Sequence, residues 1–349
     1  MSTKHQRARH IVLGCALICW LPVAQSADLP AGDDGGYVSA ALGNGILYGN
    51  GAGNAKPMRW RAAEIRAGRE MDMFGLVSGG HIPAAEAPRL DVVYYNEGHP
   101  DNNHRDGYAL QMVYRKNLQP RVGLELAAGP YLSMNRTTIN GNEIDDARVG
   151  ALFSVALLTR LDQYSPGLHV RLAYNHVMMP GAPSTDALLL GIGKELGAVH
   201  ASASEQPGGH PVWLAASGGF AQTNHSGPGK RFSYQVEAKS YYGLWAASLS
   251  GIEEGDDGVR VNRRGIAAQG WYVQPINENW SISAGAGPYL GKNKRDLDHW
   301  AVSGLMTIQV ARDLGRDWKA FTNFGRVITF KNRNDADLFS VGLMRRFDL

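Results

Sequence analysis

Between Tyr94 and Gly107 the sequence reads "YYNEGHPDNNHRDG", which sets Glu97, His99, Asp101, His104, Arg105 and Asp106 within fourteen residues. Two imidazoles that titrate near neutral pH, flanked by carboxylates, suit metal binding or general acid–base work. The same stretch is rich in Asn, Gly, Pro and Asp, so it also reads as a charged hairpin loop, or as a loop contacting a ligand or a lipid headgroup. A second stretch, "EEGDDGVRVNRRG" from Glu253, keeps Glu254, Arg263 and Arg264 and has no histidine. A metal site on His99 and His104 would therefore exist once only, and the sequence favours the loop and contact readings; no metal and no cofactor are expected.

Another set pairs His176 with Asp186 and Arg326 with Asp337, each pair spanning two neighbouring extended segments. That spacing predicts a cross-strand ion pair, with contact to a substrate as the alternative. The candidate ligand contacts are thus Glu97, His99, His104, Arg105, Asp106, Glu254, Arg263, Arg264, Arg326 and Asp337. If the chain is an enzyme, its acid–base candidates are His176, His99, Glu97 and Asp106. No Ser-His-Asp order, H-E-x-x-H or C-x-x-C occurs, and "GNGAGNAK" (Gly49–Lys56) lacks the G-K-[ST] ending of a phosphate-binding loop.

The elements that must position these residues show a repeat. "AGPYL" occurs at Ala128–Leu132 and again at Ala286–Leu290, preceded at one offset by "RDGYALQ" and "RRGIAAQ". "NEG" at Asn96 answers "EEG" at Glu253 one residue out of step, and "DALLLGIGKEL" answers "DLFSVGLMRRF". These matches keep their order, so the chain reads as two diverged copies of one unit. Within each copy the residues alternate: Phe232, Tyr234, Val236 and Ala238 fall on one face, Ser233, Gln235, Glu237 and Lys239 on the other. In "HWAVSGLMTIQVAR" the even positions Trp300 to Val310 are apolar and the odd ones small or polar, apart from Leu305. A period of two predicts strands.

Eight strands are expected per copy. The first set lies near 36–43, 57–68, 88–96, 107–117, 121–132, 147–161, 167–178 and 185–196. The second lies near 211–219, 230–240, 242–253, 264–274, 279–290, 298–311, 317–329 and 336–347. "RWRAAEIRAGRE" (Arg59–Glu70) also fits a helix, "REMDMFGLVSG" (Arg69–Gly79) fits a further strand or a loop, and the shared "GPY" reads as strand termination, with its Tyr at a membrane boundary.

Strands this long suit a bilayer, which needs about 9–11 tilted residues. The N-terminus carries Lys4, Arg7 and Arg9, then the apolar run Ile11–Ala24 and small residues near Ala27, the pattern of a secretory signal peptide over 1–27. Its removal takes away both cysteines, Cys15 and Cys19, and brings the formal charge of +3 close to zero. Cysteine chemistry and a nucleic-acid partner are thereby excluded. Glycine numbers 43 and Trp and Tyr are plentiful, a balance for β-structure with tight turns. The expected fold is all-β, an antiparallel transmembrane β-barrel. It has a first repeat over 28–196, a connector over 197–210 and a second repeat over 211–349. One ring of about sixteen strands is preferred, with two eight-stranded barrels as the alternative.

The ending "LFSVGLMRRF" (Leu338–Phe347) resembles the terminal strand of Gram-negative outer-membrane barrels, departing from it at Arg345 and in the extra Asp348 and Leu349. That resemblance implies an outer-membrane location, with membrane lipid and the barrel-assembly machinery as partners. "VRLAYNHVMMPGAPSTDALLLGIGKEL" (Val170–Leu196) more remotely resembles the late strands of the outer-membrane lipid A deacylases. It puts the family's catalytic His on His176, its nucleophile on Met178 and its orienting acid on Leu190, so the resemblance argues against that chemistry. The balance falls on no enzyme. The expected function is a non-enzymatic barrel: a porin-like or export channel for small polar solutes or polysaccharide, with a lumen lined by Arg59, Arg61, Arg171, Glu237 and Lys239, or a structural envelope protein. A lipid A or phospholipid-modifying enzyme is the alternative.

Overall fold

A computed structural model describes residues 36–48, 55–57, 61–70, 88–98, 103–139, 142–196, 211–224, 229–296, 299–330 and 334–348. The expected signal peptide and connector lie outside these residues. In the first half the strands are β1 (Gly36–Tyr48), β2 (Ala55–Pro57), β3 (Ala62–Glu70), β4 (Arg89–Gly98), β5 (Asn103–Gln119), β6 (Val122–Ile139), β7 (Asn142–Arg160), β8 (Leu168–Met178) and β9 (Thr185–Glu195). In the second they are β10 (Val212–Thr223), β11 (Arg231–Tyr242), β12 (Trp245–Asp256), β13 (Asn262–Pro275), β14 (Trp280–Asn293), β15 (Trp300–Asp313), β16 (Trp318–Ile328) and β17 (Ala336–Phe347). All sixteen expected strands are present, and β2 is a short addition to β1. Arg59–Glu70 is no helix over its described part: 62–70 is β3, with Glu64 and Arg66 on one face and Ala63, Ile65 and Ala67 on the other.

The sixteen strands form two rings, not one. β1 pairs antiparallel with β9 from Tyr37↔Glu195 to Leu47↔Thr185, closing the first. β10 pairs with β17 from Val212↔Phe347 to Thr223↔Ala336, closing the second. The preference for a single ring is thereby corrected to its alternative. The physical reason is that each repeat satisfies its own edge backbone groups, β1 against β9 and β10 against β17, so neither edge is left to pair with the other repeat. Glycines lie on both strands of each seam, as they do within the sheets. A Cβ on Gly43 would stand 1.9 Å from the Leu188 carbonyl oxygen, and one on Gly219 1.9 Å from that of Phe339; Gly191 and Gly342 are crowded in the same way from the other strand. Full closure leaves no edge for other pairing.

Burial follows the alternation with its chemistry inverted relative to a soluble sandwich. On β11, Phe232 is 71% and Val236 58% exposed, while Lys239 is 1% exposed. The large apolar side chains stand outside and the charged ones inside, as a barrel surrounded by hydrocarbon requires. The "GPY" segments correct another expectation. Pro130 lies within β6 and Pro288 within β14, where the pairing with β5 and β13 lapses for two residues and then resumes. Gly129 and Gly287 sit under the Leu110 and Ala268 carbonyl oxygens, 1.9 Å from where a Cβ would be. Tyr131 and Tyr289 point into the lumens, fully buried, and away from any membrane boundary.

Candidate functional site

Alternation splits the polar stretch Tyr94–Gly107 between two environments. Glu97 and Arg105 turn inward, at 0% and 2% exposure, whereas His104 and Asp106 turn outward. Inside, Glu97 accepts hydrogen bonds from the Tyr131 hydroxyl at 3.0 Å and from the Thr185 hydroxyl, and Arg105 Nη2 stands 3.4 Å away. The second lumen holds the counterpart. Glu254 accepts from Arg263 Nη2 at 2.8 Å and pairs with Arg231 at 3.5 Å, and the Arg263 guanidinium lies 5.9 Å over the Tyr289 ring. A β-bulge lies at each glutamate, with Gly98 and Gly255 at positive φ where a side chain would be strained. The one-residue offset between "NEG" and "EEG" falls beyond it, between Gly255 and Arg263.

Deeper inside, the barrels differ. In the first, Arg66 donates to Asp91 at 2.6 Å, to Glu64 at 3.1 Å and to Gln111 at 2.7 Å. Arg171 and Asn175 each donate to Glu64 at 2.7 Å. Toward the termini, Arg115 pairs with Glu125 at 3.2 Å and with Glu195, and Arg89 reaches Glu195 at 3.3 Å and Glu70 at 2.7 Å. In the second, Lys239 donates to Gln309 at 2.9 Å and lies 3.3 Å over the Trp271 ring, and Gln309 donates to Asn323 at 2.9 Å. Trp213, Phe321 and Met344 pack below them. Of the expected lining, Arg171, Glu237 and Lys239 are inside, Arg61 is exposed, and Arg59 lies outside the described residues.

The outward residues meet between the barrels, which belong to one compact unit. Arg326 Nη1 on β16 donates to both carboxylate oxygens of Asp106 on β5, at 3.0 and 3.2 Å, and Arg326 Nε stands 3.3 Å from Asp337. The Tyr94 hydroxyl donates to Asp106 at 3.0 Å, and His104 Nε2 lies 3.7 Å from it. Tyr108 and Met134 of the first barrel pack there against Ile328 of the second. His176 lies outward on β8, its Nδ1 2.6 Å from Asp186 Oδ1 across the ladder and its ring against Phe153. Met178 and Leu190, where the resemblance puts the nucleophile and the orienting acid, are outward and exposed. Arg264 is exposed on the outside of β13, and His99 lies outside the described residues. Apart from Arg264 and His99, the expected ligand contacts therefore divide into two lumenal clusters and one junction. Among the described residues no group of three or more His, Cys, Asp or Glu could hold a metal ion.

At the mouth of the second barrel, Asp257 ties down the hairpin between β12 and β13. Its Oδ1 accepts from the backbone N–H of Val259, Arg260 and Val261 at 2.8, 2.7 and 2.9 Å, and its Oδ2 from the Thr223 hydroxyl at 2.7 Å. Partial burial alone would raise its pKa, but the Val261, Thr223, Val259 and Arg260 donors outweigh this and hold the carboxyl below its usual value.

Sequence reasoning missed Glu64, Arg66, Asp91, Arg89, Arg115 and Glu125. A signal was present on β5 and β6, where Arg115 and Glu125 share the inward phase with Gly107, Ala109, Gly123 and Ala127; on β3 and β4 the inward phase is not the one richer in small residues. No protein-family model matches the sequence, and no curated protein does. Among solved structures it is similar to Neisserial surface protein A, at 13% identity and a TM-score of 0.36, covering 46% of this chain and 97% of that one. It is also similar to Ail, the attachment invasion locus protein of Yersinia pestis, at 10% identity and a TM-score of 0.35, covering 47% and 99%. Similarity to the COG4313 outer membrane channel from Pseudomonas putida F1 covers 93% of this chain and 100% of that one, at 12% identity and a TM-score of 0.21.

Proposed function

We propose that the chain is a non-enzymatic protein of the outer membrane, reached through a cleaved signal peptide, and that it serves the envelope structurally more than as a conduit. The observation that carries this is the filling of both lumens. The Glu64–Arg66–Asp91–Arg171 network spans the first barrel, and Lys239, Gln309, Asn323 and Trp271 occupy the second. Eight-stranded rings leave an interior that side chains fill, in contrast to rings of sixteen or more strands. The cavity beside Arg263, Asn293 and His299 has room of only ≈ 30 Å³, space for about one or two water molecules. The outward apolar faces support membrane lipid as the surrounding partner. β17, the terminal strand, would be the segment read by the barrel-assembly machinery.

The two lumenal clusters also support an origin by duplication. Glu97, Arg105, Gln111 and Tyr131 in one barrel answer Glu254, Arg263, Gln269 and Tyr289 in the other. Gln111 donates to the Leu152 carbonyl across β6 at 2.8 Å, and Gln269 to the Leu305 carbonyl across β14 at 3.4 Å. Lipid chemistry has no comparable support, because the positions that the resemblance gives its nucleophile and orienting acid are Met178 and Leu190. Planar-bilayer recording tests the reading: folded, purified protein is expected to give no discrete unitary conductance, and steady unitary steps would overturn it in favour of a channel. Lipid A mass profiles are expected to stay unchanged on overproduction.

A further inference from the structure

The end of the second barrel that carries Val212 and Phe347 is ringed on its outside by aromatic side chains at strand ends. They are Tyr242 on β11, Trp245 on β12, Trp280 on β14, Trp318 on β16 and Phe347 on β17. Such a girdle marks the level of the lipid headgroups. Two arginines lie within it. The Arg312 guanidinium stands 5.5 Å over the Trp280 ring, and that of Arg345 stands 5.6 Å over Trp318 and 5.3 Å over Phe347. Both are outward and exposed, and among the described residues neither has a carboxylate partner.

Register places the two arginines around one gap. Arg312 opposes Trp280 on one side and Ala320 on the other; Ala320 opposes Leu343, and Arg345, two residues along from Leu343, opposes Trp318. Ala320 is thus the small floor between cations on β15 and β17, whose backbones lie about 10 Å apart across the sheet. A guanidinium stacked on a ring keeps its N–H edge free, and that edge matches the oxygens of a phosphate. Beyond the floor, exposed Leu343, Val341 and Phe324 continue as an apolar surface. In the first barrel the answering positions are Val122, Thr159, Leu168 and Lys194, and Lys194 donates to Ser165 at 3.2 Å. The strand framework therefore does not call for the two arginine–ring pairs, which the second barrel alone carries at these positions. We propose that this gap holds one anionic glycerophospholipid, its phosphate between Arg312 and Arg345 and its acyl chains along Leu343, Val341 and Phe324. Two cations at the edge of the hydrocarbon with no carboxylate beside them call for a counter-charge, and a single phosphodiester on two acyl chains supplies it within this width. The site rests on the reading above that the outward faces meet lipid, and adds to it a headgroup that is read by charge and shape.

The test uses folded, delipidated protein in detergent, titrated with dioleoyl phosphatidylglycerol and followed by native mass spectrometry. The wild type is expected to hold one phosphatidylglycerol more tightly than phosphatidylcholine, whose headgroup cancels its own charge. Arg312→Gln with Arg345→Gln is expected to weaken that lipid roughly tenfold or more. Arg312→Lys with Arg345→Lys is expected to weaken it as well, because the fork is lost while the charge stays. Lys194→Gln on the first barrel is expected to change nothing, and heat-modifiable migration confirms that each variant is folded. A folded double variant of either kind that holds phosphatidylglycerol as the wild type does overturns the proposal. So does loss of lipopolysaccharide but not of phosphatidylglycerol on the same substitutions, which would make lipid A the occupant. Neither result touches the lipid-facing reading, which fails only if the folded protein does not insert into vesicles.

Discussion

The two lumens solve one problem with different chemistry. Each encloses a ring of eight strands and repeats the Glu–Arg–Tyr cluster at its far end. Below that cluster the first barrel is filled by ion pairs in which single carboxylates serve several cations, as Glu64 serves Arg66 and Arg171. The second is filled by aromatic rings and amides around Lys239 and Lys319. A shared framework therefore constrains backbone and mouth, while the middle of a closed barrel accepts any side chains that fill it and satisfy one another. The charged solution is the more brittle of the two: removing one member of a buried pair exposes its partner to the full desolvation penalty, whereas removing both members is nearly neutral.

The largest expected effect follows from that asymmetry. Arg66→Met leaves Asp91 and part of Glu64 without a cation and should cost about 3–5 kcal/mol, read as a fall in urea-unfolding free energy in lipid vesicles. Hydrogen exchange should place the loss in the first barrel; an equal loss in both barrels would break the comparison. Next come Gly129→Ala and Gly287→Ala. Each added methyl meets a carbonyl oxygen at 1.9 Å, so each should cost about 1–3 kcal/mol, and alike, because this part of the framework is shared. Smaller still is Glu237→Gln with Lys239→Met, which removes both members of one charge pair of the second lumen and should change stability by within about 1 kcal/mol. The smallest effect is local. The Asp257 pKa is depressed in the folded state, so its stabilisation is present above the ordinary carboxylate range of about 4 and is lost as pH falls through the folded value. Amides 259–261 should exchange faster at low pH, and Asp257→Asn should remove that dependence.

Strand positions were legible because alternation is a local property: β11 and β15 declare their faces within a dozen residues. The pair His176–Asp186 was legible for the same reason, since a hairpin fixes its register. Closure was not. Whether β9 returns to β1 or continues to β10 is decided between segments far apart in sequence, and the glycine seams at Gly43 and Gly219 become meaningful only once their opposing carbonyls are placed. The division of the polar stretch around Glu97 was not legible, because density of charge along a sequence does not show that alternate residues of a hairpin face opposite media. Tyr131 and Tyr289 misled: the proline beside them suggested an end, while the bulk of the ring was needed inside.

Closure of two separate rings is the claim on which the filled lumens depend, and a disulfide test reaches it directly. Leu42 on β1 and Leu190 on β9 are opposed in register and both face outward. Neighbouring strands bring Cα atoms to about 4.5–5.5 Å, within disulfide reach. In protein with Cys15 and Cys19 replaced by Ser, Leu42→Cys with Leu190→Cys should oxidise to an intrachain bond in the folded state, and Leu190→Cys with Leu214→Cys should not. A bond between positions 190 and 214, with none between 42 and 190, would place β9 beside β10 in a single large ring and contradict the account.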